Sequence, residues 1–537
     1  MSSQTSSPRT SAPSEGENLT PKASVIIEDG VVKTYVKDAV IPDVNFESFF
    51  TDVWREHEDL TALVDVQTGV QYTFGELLDD CRRIAAGLRR LGLRTGDIVG
   101  FHCVNSYELM VAMCGTFFAG GVANMIKTNL TRGEVQRQLI DSQPIFVVCD
   151  RKDAAKVKNA CEGIASVKGV IVTKGACEGT RMLSELTQSS MEGVEAPLNV
   201  NPDAVLAIMY SSGSTGFPKG VQLTHRNIIA QVVSCWHASP PIFAESDVFL
   251  CTPSIIAIGG FWFSFCALGH GCKIVLPPSP EADVILPAIA KYKPTSTFLY
   301  PTILHKLVQC PLVEQVDTSS LTKVIVGGST LTSSVLQCVM QKLHLPGIMQ
   351  AYGMTELTGC ISFATPQLDD VKSVGRPLPF NEVKVVHPES RQTLGPNEQG
   401  EICVRGPNAF KGYLKNEIKT SEAYENGFVR TGDIGYYSSE GRIFVCGRLK
   451  ELIKCMDQQV APAELEELLA ADPDVLQAIV VGVPHPHHGE APRAFVVPRR
   501  RLAGPDEEER EADRLKELVA GMYCNRSMNL NEHTRME

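Results

Sequence analysis

An apolar run, Ala204-Val205-Leu206-Ala207-Ile208-Met209-Tyr210, passes directly into Ser211-Ser212-Gly213-Ser214-Thr215-Gly216-Phe217-Pro218-Lys219-Gly220. The run reads as a buried strand. The stretch after it concentrates hydroxyls, glycines and one lysine in a turn. A turn of that composition leaving a strand exposes backbone N–H groups beside hydroxyls, an anion cradle to which Lys219 adds a positive charge. The spacing is not that of the P-loop, because no Gly-Lys-Ser/Thr follows a first glycine at four residues' remove. Two readings stand: a polyphosphate cradle, or a plain flexible Ser/Gly loop. Beyond it, Thr224-His225-Arg226-Asn227 offers capping residues ahead of the apolar Ile228-Ile229.

Strand and helix alternate on either side of this point. From Thr73, the positions Phe74, Leu77, Leu78, Cys81, Ile84, Ala85, Leu88 and Leu91 keep helical spacing; Thr73 can cap the helix and Gly92 can stop it. Asp97 to Cys103 reads as a buried strand, Tyr107 to Ala119 as a helix, and Ile145 to Cys149 and Val170 to Val172 as short strands. The alternation predicts an α/β body with largely parallel sheets. A chain of 537 residues is too long for one typical domain. Residues 1–24, rich in Ser, Thr and Pro, are expected to be disordered.

The charge of −12 argues against a nucleic-acid partner, and no basic stripe with interleaved aromatics runs through the chain. The 17 cysteines follow no CxxC or Cys/His ligand spacing, so they read as reduced residues of an intracellular protein. No apolar stretch is long enough to span a membrane; Ile255 to Leu268 comes nearest and is too short. Without an apolar signal core or a terminal Ser-Lys-Leu, the expected location is the cytoplasm.

Further motifs carry usable chemistry. Val324-Ile325-Val326 is a strand ending in Gly327-Gly328-Ser329-Thr330. Gln350-Ala351-Tyr352-Gly353-Met354-Thr355-Glu356 reads as a turn. In it Tyr352 offers a face to a purine, Thr355 a donor to a phosphate oxygen, and Glu356 an oxygen ligand to Mg²⁺. Arg430-Thr431-Gly432-Asp433 reads as a Gly-Asp turn, with Asp433 able to accept from ribose hydroxyls. Gly447-Arg448-Leu449-Lys450-Glu451-Leu452-Ile453-Lys454 leads to Gln459-Val460-Ala461-Pro462, where Pro462 and the acidic first turn predict a helix start. The apolar segment Val248 to Leu276, broken by Gly259-Gly260 and Gly269-His270-Gly271, can be core packing only, although Phe261, Trp262 and Phe263 suggest an apolar pocket wall.

In content, order and spacing these motifs resemble those of the adenylate-forming enzymes, in the branch of 4-coumarate–CoA ligase and luciferase, over residues 45–497. The resemblance implies a large N-terminal domain of stacked, mostly parallel sheets with helices (25–448) and a small mobile C-terminal α+β domain, here incomplete (449–500). An atypical tail (501–537) would follow. It implies ATP, Mg²⁺ and coenzyme A as cofactors, a fatty or aryl carboxylic acid as substrate, and a ligase reaction through an acyl-adenylate. Ser211, Ser212, Gly213, Ser214, Thr215, Gly216 and Lys219 would hold the phosphates. Gly328, Ser329, Thr330, Tyr352 and Gly353 would frame the adenine. Thr355 and Glu356 would serve the α-phosphate and Mg²⁺, and Asp433 and Arg448 the ribose. Lys450 would be the hinge and, with Gln459, would take part in cofactor binding, and Lys454 would belong to the face used when CoA reacts.

The chain departs from that pattern at three points. Ile256 stands where the resemblance puts a histidine. Asp457 stands where it puts a glycine, bringing a side chain and a negative charge toward an anionic cofactor. After Val497 a Pro-x-x-x-x-Gly-Lys segment is replaced by Arg499-Arg500-Arg501 and a helix-like acidic run, Asp506 to Val519, with Leu515, Leu518 and Val519 on one face. Through these departures an impaired ligase and a non-catalytic nucleotide- or acyl-binding relative both stay open, with a luciferase-type oxidase as a further alternative.

Overall fold

Thr73 opens its helix through a reciprocal cap. Its hydroxyl accepts the Glu76 N–H at 3.1 Å, and the Glu76 carboxylate accepts the Thr73 N–H at 2.8 Å. The helix Phe74–Arg90 then buries Phe74, Leu77, Leu78, Cys81, Ile84, Ala85 and Leu88, the face set by the spacing. The computed structural model describes residues 23–188, 198–211, 218–329, 333–365, 372–455, 458–485 and 489–526. The first 22 residues and the Ser212–Gly216 part of the phosphate loop lie outside them, as do Thr330 and Asp457.

Two large sheets form the body. In one, of eight strands, Ile98–His102 lies between Val122–Met125 and Phe146–Cys149, all parallel. In the other, of nine strands, Val248–Leu250, Ser296–Leu299, Lys323–Gly327 and Ile348–Met354 run side by side in parallel. The helices Phe46–Glu56, Phe74–Arg90, Tyr107–Phe118, His225–Trp236 and Ile258–Gly269 fill the space between them and share one core. Covered on all sides, Tyr107–Phe118 and Ile258–Gly269 are apolar nearly all round. Their rings interlock with those of the first helix: Phe46 meets Phe117 edge-on at 4.9 Å and Phe265 at 5.1 Å.

A seven-stranded sheet departs from the parallel pattern. It runs antiparallel from Ser24–Glu28 through Val31–Tyr35, Glu382–Val386 and Gly400–Arg405 to Phe428–Tyr437, which also pairs Ile443–Arg448. Several of these strands follow one another through short connections, too short for the crossover a parallel pair needs.

The small C-terminal unit is an antiparallel sheet of Ile453–Cys455, Gln458–Val460, Val475–His485 and Gly489–Pro498, with the helices Pro462–Ala470 and Pro505–Arg526 packed on it. Pro462 occupies the first turn of its helix, as its position predicts. Leu515 and Val519 are buried and Leu518 packs against them, so the apolar face of the acidic run is used as its spacing suggests. The two units meet at a small cluster of Ile434, Leu452 and Ala461 and at an ion pair, Lys372 to Glu467, 2.8 Å long.

Candidate active site

The phosphate-loop stretch is the connection of a β-hairpin. The strands Val205–Ser211 and Lys219–Thr224 pair antiparallel, with Ser211 opposite Lys219. Both ends of the loop are thereby pinned to the large sheet. Thr224 then caps the helix His225–Trp236, its hydroxyl accepting the Asn227 N–H at 3.1 Å.

That helix grips the next motif. Gln231, buried, donates to the carbonyls of Leu357 and Cys360 at 2.9 and 3.0 Å, and Asn227 donates to those of Pro407 and Ala409. Tyr352 to Glu356 is not the turn its composition suggests. Tyr352 and Gly353 end the strand Ile348–Met354, and Thr355–Leu357 is a single 3₁₀ turn beyond it. The strand runs on because Gly353 lets it approach its neighbour: a Cβ there would lie 2.0 Å from the Gly359 carbonyl oxygen. Gly353 therefore has a packing reason that the sequence pattern did not separate from a nucleotide-binding one.

The Glu356 carboxylate is buried, and its Oε1 accepts from both the Ser211 hydroxyl and the Tyr413 hydroxyl at 2.9 Å. Among the described residues its Oε2 takes no bond, which leaves one oxygen free for a hard cation. Tyr413 was not assigned a role from the sequence. It sits on the strand Gly412–Tyr413, which pairs with Lys219–Thr224, and its ring faces the Lys219 ammonium 4.9 Å from the centroid. A tyrosine after a glycine gives no signal of this, since the pairing joins segments far apart in the chain. Burial and the nearby Glu356 charge push the Tyr413 hydroxyl well above its ordinary value, so it stays a proton donor.

Asp433 also lies in a strand, Phe428–Tyr437, not in a turn. Gly432, with φ +70°, supplies local distortion while the ladder continues. The Asp433 side chain is buried; its Oδ2 accepts the Tyr352 hydroxyl at 2.6 Å and its Oδ1 lies 2.9 Å from Arg448 Nε. Burial raises the Asp433 carboxyl, and Arg448 and the Tyr352 hydroxyl draw it back down. Tyr352, Asp433 and Arg448 thus form one connected group, with carboxylate lone pairs left to accept further hydroxyls.

Gly328 directly follows the strand Lys323–Gly327. It has φ +95°, and a Cβ there would fall 2.8 Å from the Tyr300 ring. Ser329 follows it and is exposed. Thr355 is half-buried. Lys450 lies in the turn between the two units, and Lys454 and Gln459 fall on paired strands of the small sheet, at facing register positions. Ile256 is buried in the main core. No helix of the described residues is long and apolar enough to cross a membrane.

A family model described as AMP-binding enzyme matches residues 50–414, and one described as AMP-binding enzyme C-terminal domain matches residues 464–528. A 4-coumarate–CoA ligase of Humulus lupulus is 32% identical over 482 residues, covering 88% of each chain. The luciferin 4-monooxygenase of Photinus pyralis is 33% identical over 450 residues, covering 81% of each chain. Among solved structures, ATP-bound MatB of Rhodopseudomonas palustris superposes with a TM-score of 0.80 at 26% identity, covering 92% of this chain and 94% of its own.

Proposed function

Because the chain belongs to the AMP-binding, adenylate-forming enzymes, we propose that it is an ATP-dependent carboxylic acid–CoA ligase acting on a fatty or aryl acid. The observation that carries this reading is the convergence of Ser211, Glu356 and Tyr413 at the base of the phosphate loop, beside the Tyr352–Asp433–Arg448 group. The acid–CoA ligases of this family use ATP and coenzyme A.

In the first step a carboxylate oxygen of the acid bonds the α-phosphorus of ATP, and the bond to the β-phosphate oxygen breaks, releasing pyrophosphate. No side chain acts as a covalent nucleophile; the residues position and stabilise charge. Lys219 and Ser211, with Ser212 to Gly216, hold the phosphates. Tyr352 and Gly328 to Thr330 flank the adenine, while Asp433 accepts from the ribose and Arg448 keeps that carboxylate ionised. Glu356 suits Mg²⁺ through Oε2, which takes no bond among the described residues, and the ion would supply charge neutralisation on the phosphates. Thr355 donates to the α-phosphate. In the second step the CoA sulfur bonds the acyl carbon and AMP leaves, with the small unit turned about Lys450 so that Lys454 faces the site.

One observation favours a second reading, a non-catalytic nucleotide- or acyl-binding relative. Ile256 is buried apolar packing at the position where the resemblance puts a histidine. Pyrophosphate release over a panel of fatty and aryl acids, followed by thioester formation with CoA, tests the ligase reading; ATP binding without turnover on any acid supports the second.

A further inference from the structure

The rings of Trp262 and Phe263 face packing, not open space: each is 2% exposed. Phe263 stacks on Phe298 with centroids 4.5 Å apart, and Trp262 on Phe363 at 5.8 Å. Phe298 in turn meets Tyr300 edge-on at 5.1 Å. These rings form one column between the helix Ile258–Gly269 and the strands Ser296–Leu299 and Gly359–Phe363 of the nine-stranded sheet. Tyr300 is its half-buried end.

Tyr300 directly follows the strand Ser296–Leu299, as Gly328 follows Lys323–Gly327, the parallel strand beside it. Tyr352 lies near the same end of the next parallel strand, Ile348–Met354. All three therefore occupy the carboxyl edge of neighbouring parallel strands, where open α/β sheets take their ligands. Two glycines make room for the Tyr300 ring. A Cβ on Gly328 would fall 2.8 Å from its Cδ1, and a Cβ on Gly259, in the first turn of the helix Ile258–Gly269, 2.6 Å from its hydroxyl oxygen. The ring thus spans the gap between the start of that helix and the glycine assigned above to the adenine.

We propose that Tyr300 is a specificity residue that limits the acid pocket at this edge, so that the substrate is a compact acid of aryl size and a long acyl chain is excluded. The inference rests on the ligase reading. An acid activated at the α-phosphate holds its carboxylate beside the nucleotide and must house its tail nearby. Toward the helix Ile258–Gly269 that tail meets the Tyr300 ring and, behind it, the packed column. Threading a long chain there would force several buried rings out of a close-packed interior. A flat aryl group can lie against Tyr300 instead, in the offset or edge geometry that aromatic pairs favour.

The experiment is calorimetric titration of the full chain with two non-hydrolysable mimics of an acyl-adenylate, benzoyl and hexadecanoyl sulfamoyladenosine, so that binding is read without turnover. The parent protein should bind the benzoyl compound about tenfold or more tightly than the hexadecanoyl one. Tyr300→Ala should shift that ratio toward the hexadecanoyl compound by about tenfold or more. Tyr300→Phe should keep the parent ratio, because the ring and not the hydroxyl blocks the way. Tyr300→Leu, a smaller loss of volume, should shift the ratio in the same direction as Tyr300→Ala and decides the matter should that variant fail to fold. A parent protein that binds the hexadecanoyl compound as tightly as the benzoyl one, or a ratio unmoved when the ring is removed, would overturn this proposal and leave the ligase reading standing. A folded parent protein that binds neither compound would overturn the ligase reading, and the proposal with it.

Discussion

The Ser211 hydroxyl, at the end of the strand that enters the phosphate loop, donates at 2.9 Å to the carboxylate of Glu356, which stands 145 residues later in the chain. Tyr413 reaches the same oxygen from a third segment. Glu356→Gln keeps the size of the side chain and removes its charge. In a folded protein this should lower pyrophosphate release by about 10²–10³, the range found when one charge-stabilising group is lost from such a site. Tyr413→Phe leaves the carboxylate with one donor and should cost less, about ten- to a hundredfold, since a single hydrogen bond to a charged group contributes roughly 1.5–3 kcal/mol. Initial-rate measurements on both variants, with melting temperature as the fold control, check the order.

Asp433 gives a pH-dependent test. Burial raises its carboxyl and Arg448 lowers it. Removing the guanidinium in Arg448→Ala leaves burial less opposed, so the carboxyl should protonate at a higher pH than in the parent protein. The protonated form loses acceptor capacity for a ribose. ATP affinity should therefore fall on acidification in both proteins, with the midpoint displaced upward in the variant. Titrations of ATP binding across the acidic range would detect this, and coincident midpoints would remove Arg448 from the account.

Much of this was legible in the chain. Caps announced the helices at Thr73 and Thr224, because a side-chain oxygen before an apolar periodic run has one main use. Ser211, Lys219, Glu356 and Asp433 were legible as polar residues in glycine-rich settings beside apolar strands. The conformations at Tyr352 and Asp433 were not. Gly353 and Gly432 look like turn punctuation, yet each sits in a continuing strand, Gly353 because the Gly359 carbonyl is too close for any side chain. Tyr413 escaped because its role depends on pairing with a strand almost two hundred residues earlier, and a sequence pattern records neighbours along the chain only. The antiparallel sheet escaped for the same reason: its first two strands and its remaining ones come from opposite ends of the large domain.

The steric reading of Gly353 makes a stability prediction. Gly353→Ala drives a Cβ to 2.0 Å from backbone that cannot swing aside. It should destabilise the large domain by about 1–3 kcal/mol or more, as overpacking does. Gly96→Ala is the control. Gly96 has φ +86° and nothing within 4 Å of a built Cβ, so only backbone strain applies, roughly 1–2 kcal/mol. Denaturant unfolding of the two should rank Gly353→Ala as the more damaging.

Buried imidazoles set the acid limit. Burial pushes His225 and His270 down to about 4, and His225 Nδ1 accepts the Phe46 N–H at 3.1 Å as a neutral ring. An unfolded histidine protonates near its ordinary value, about 6.5. Between those values the unfolded chain binds more protons, so stability is present above about 6.5 and is lost as pH falls toward 4. Each such ring contributes a slope of up to about 1.4 kcal/mol per pH unit. His225→Asn retains an acceptor for Phe46 and removes the titration. Unfolding free energies measured across that range should show a shallower slope in the variant.

The proposed role of the site around Ser211 and Glu356 is to activate a carboxylic acid with ATP for transfer to CoA. Its most direct test follows pyrophosphate and acyl-CoA together, with the full chain, Mg·ATP, CoA and a panel of fatty and aryl acids, against Glu356→Gln. At least one acid should yield pyrophosphate and its CoA thioester in equal amounts, and both should fall together in the variant. A folded protein that binds ATP yet releases pyrophosphate at background with every acid, or whose pyrophosphate release is indifferent to Glu356→Gln, would contradict it.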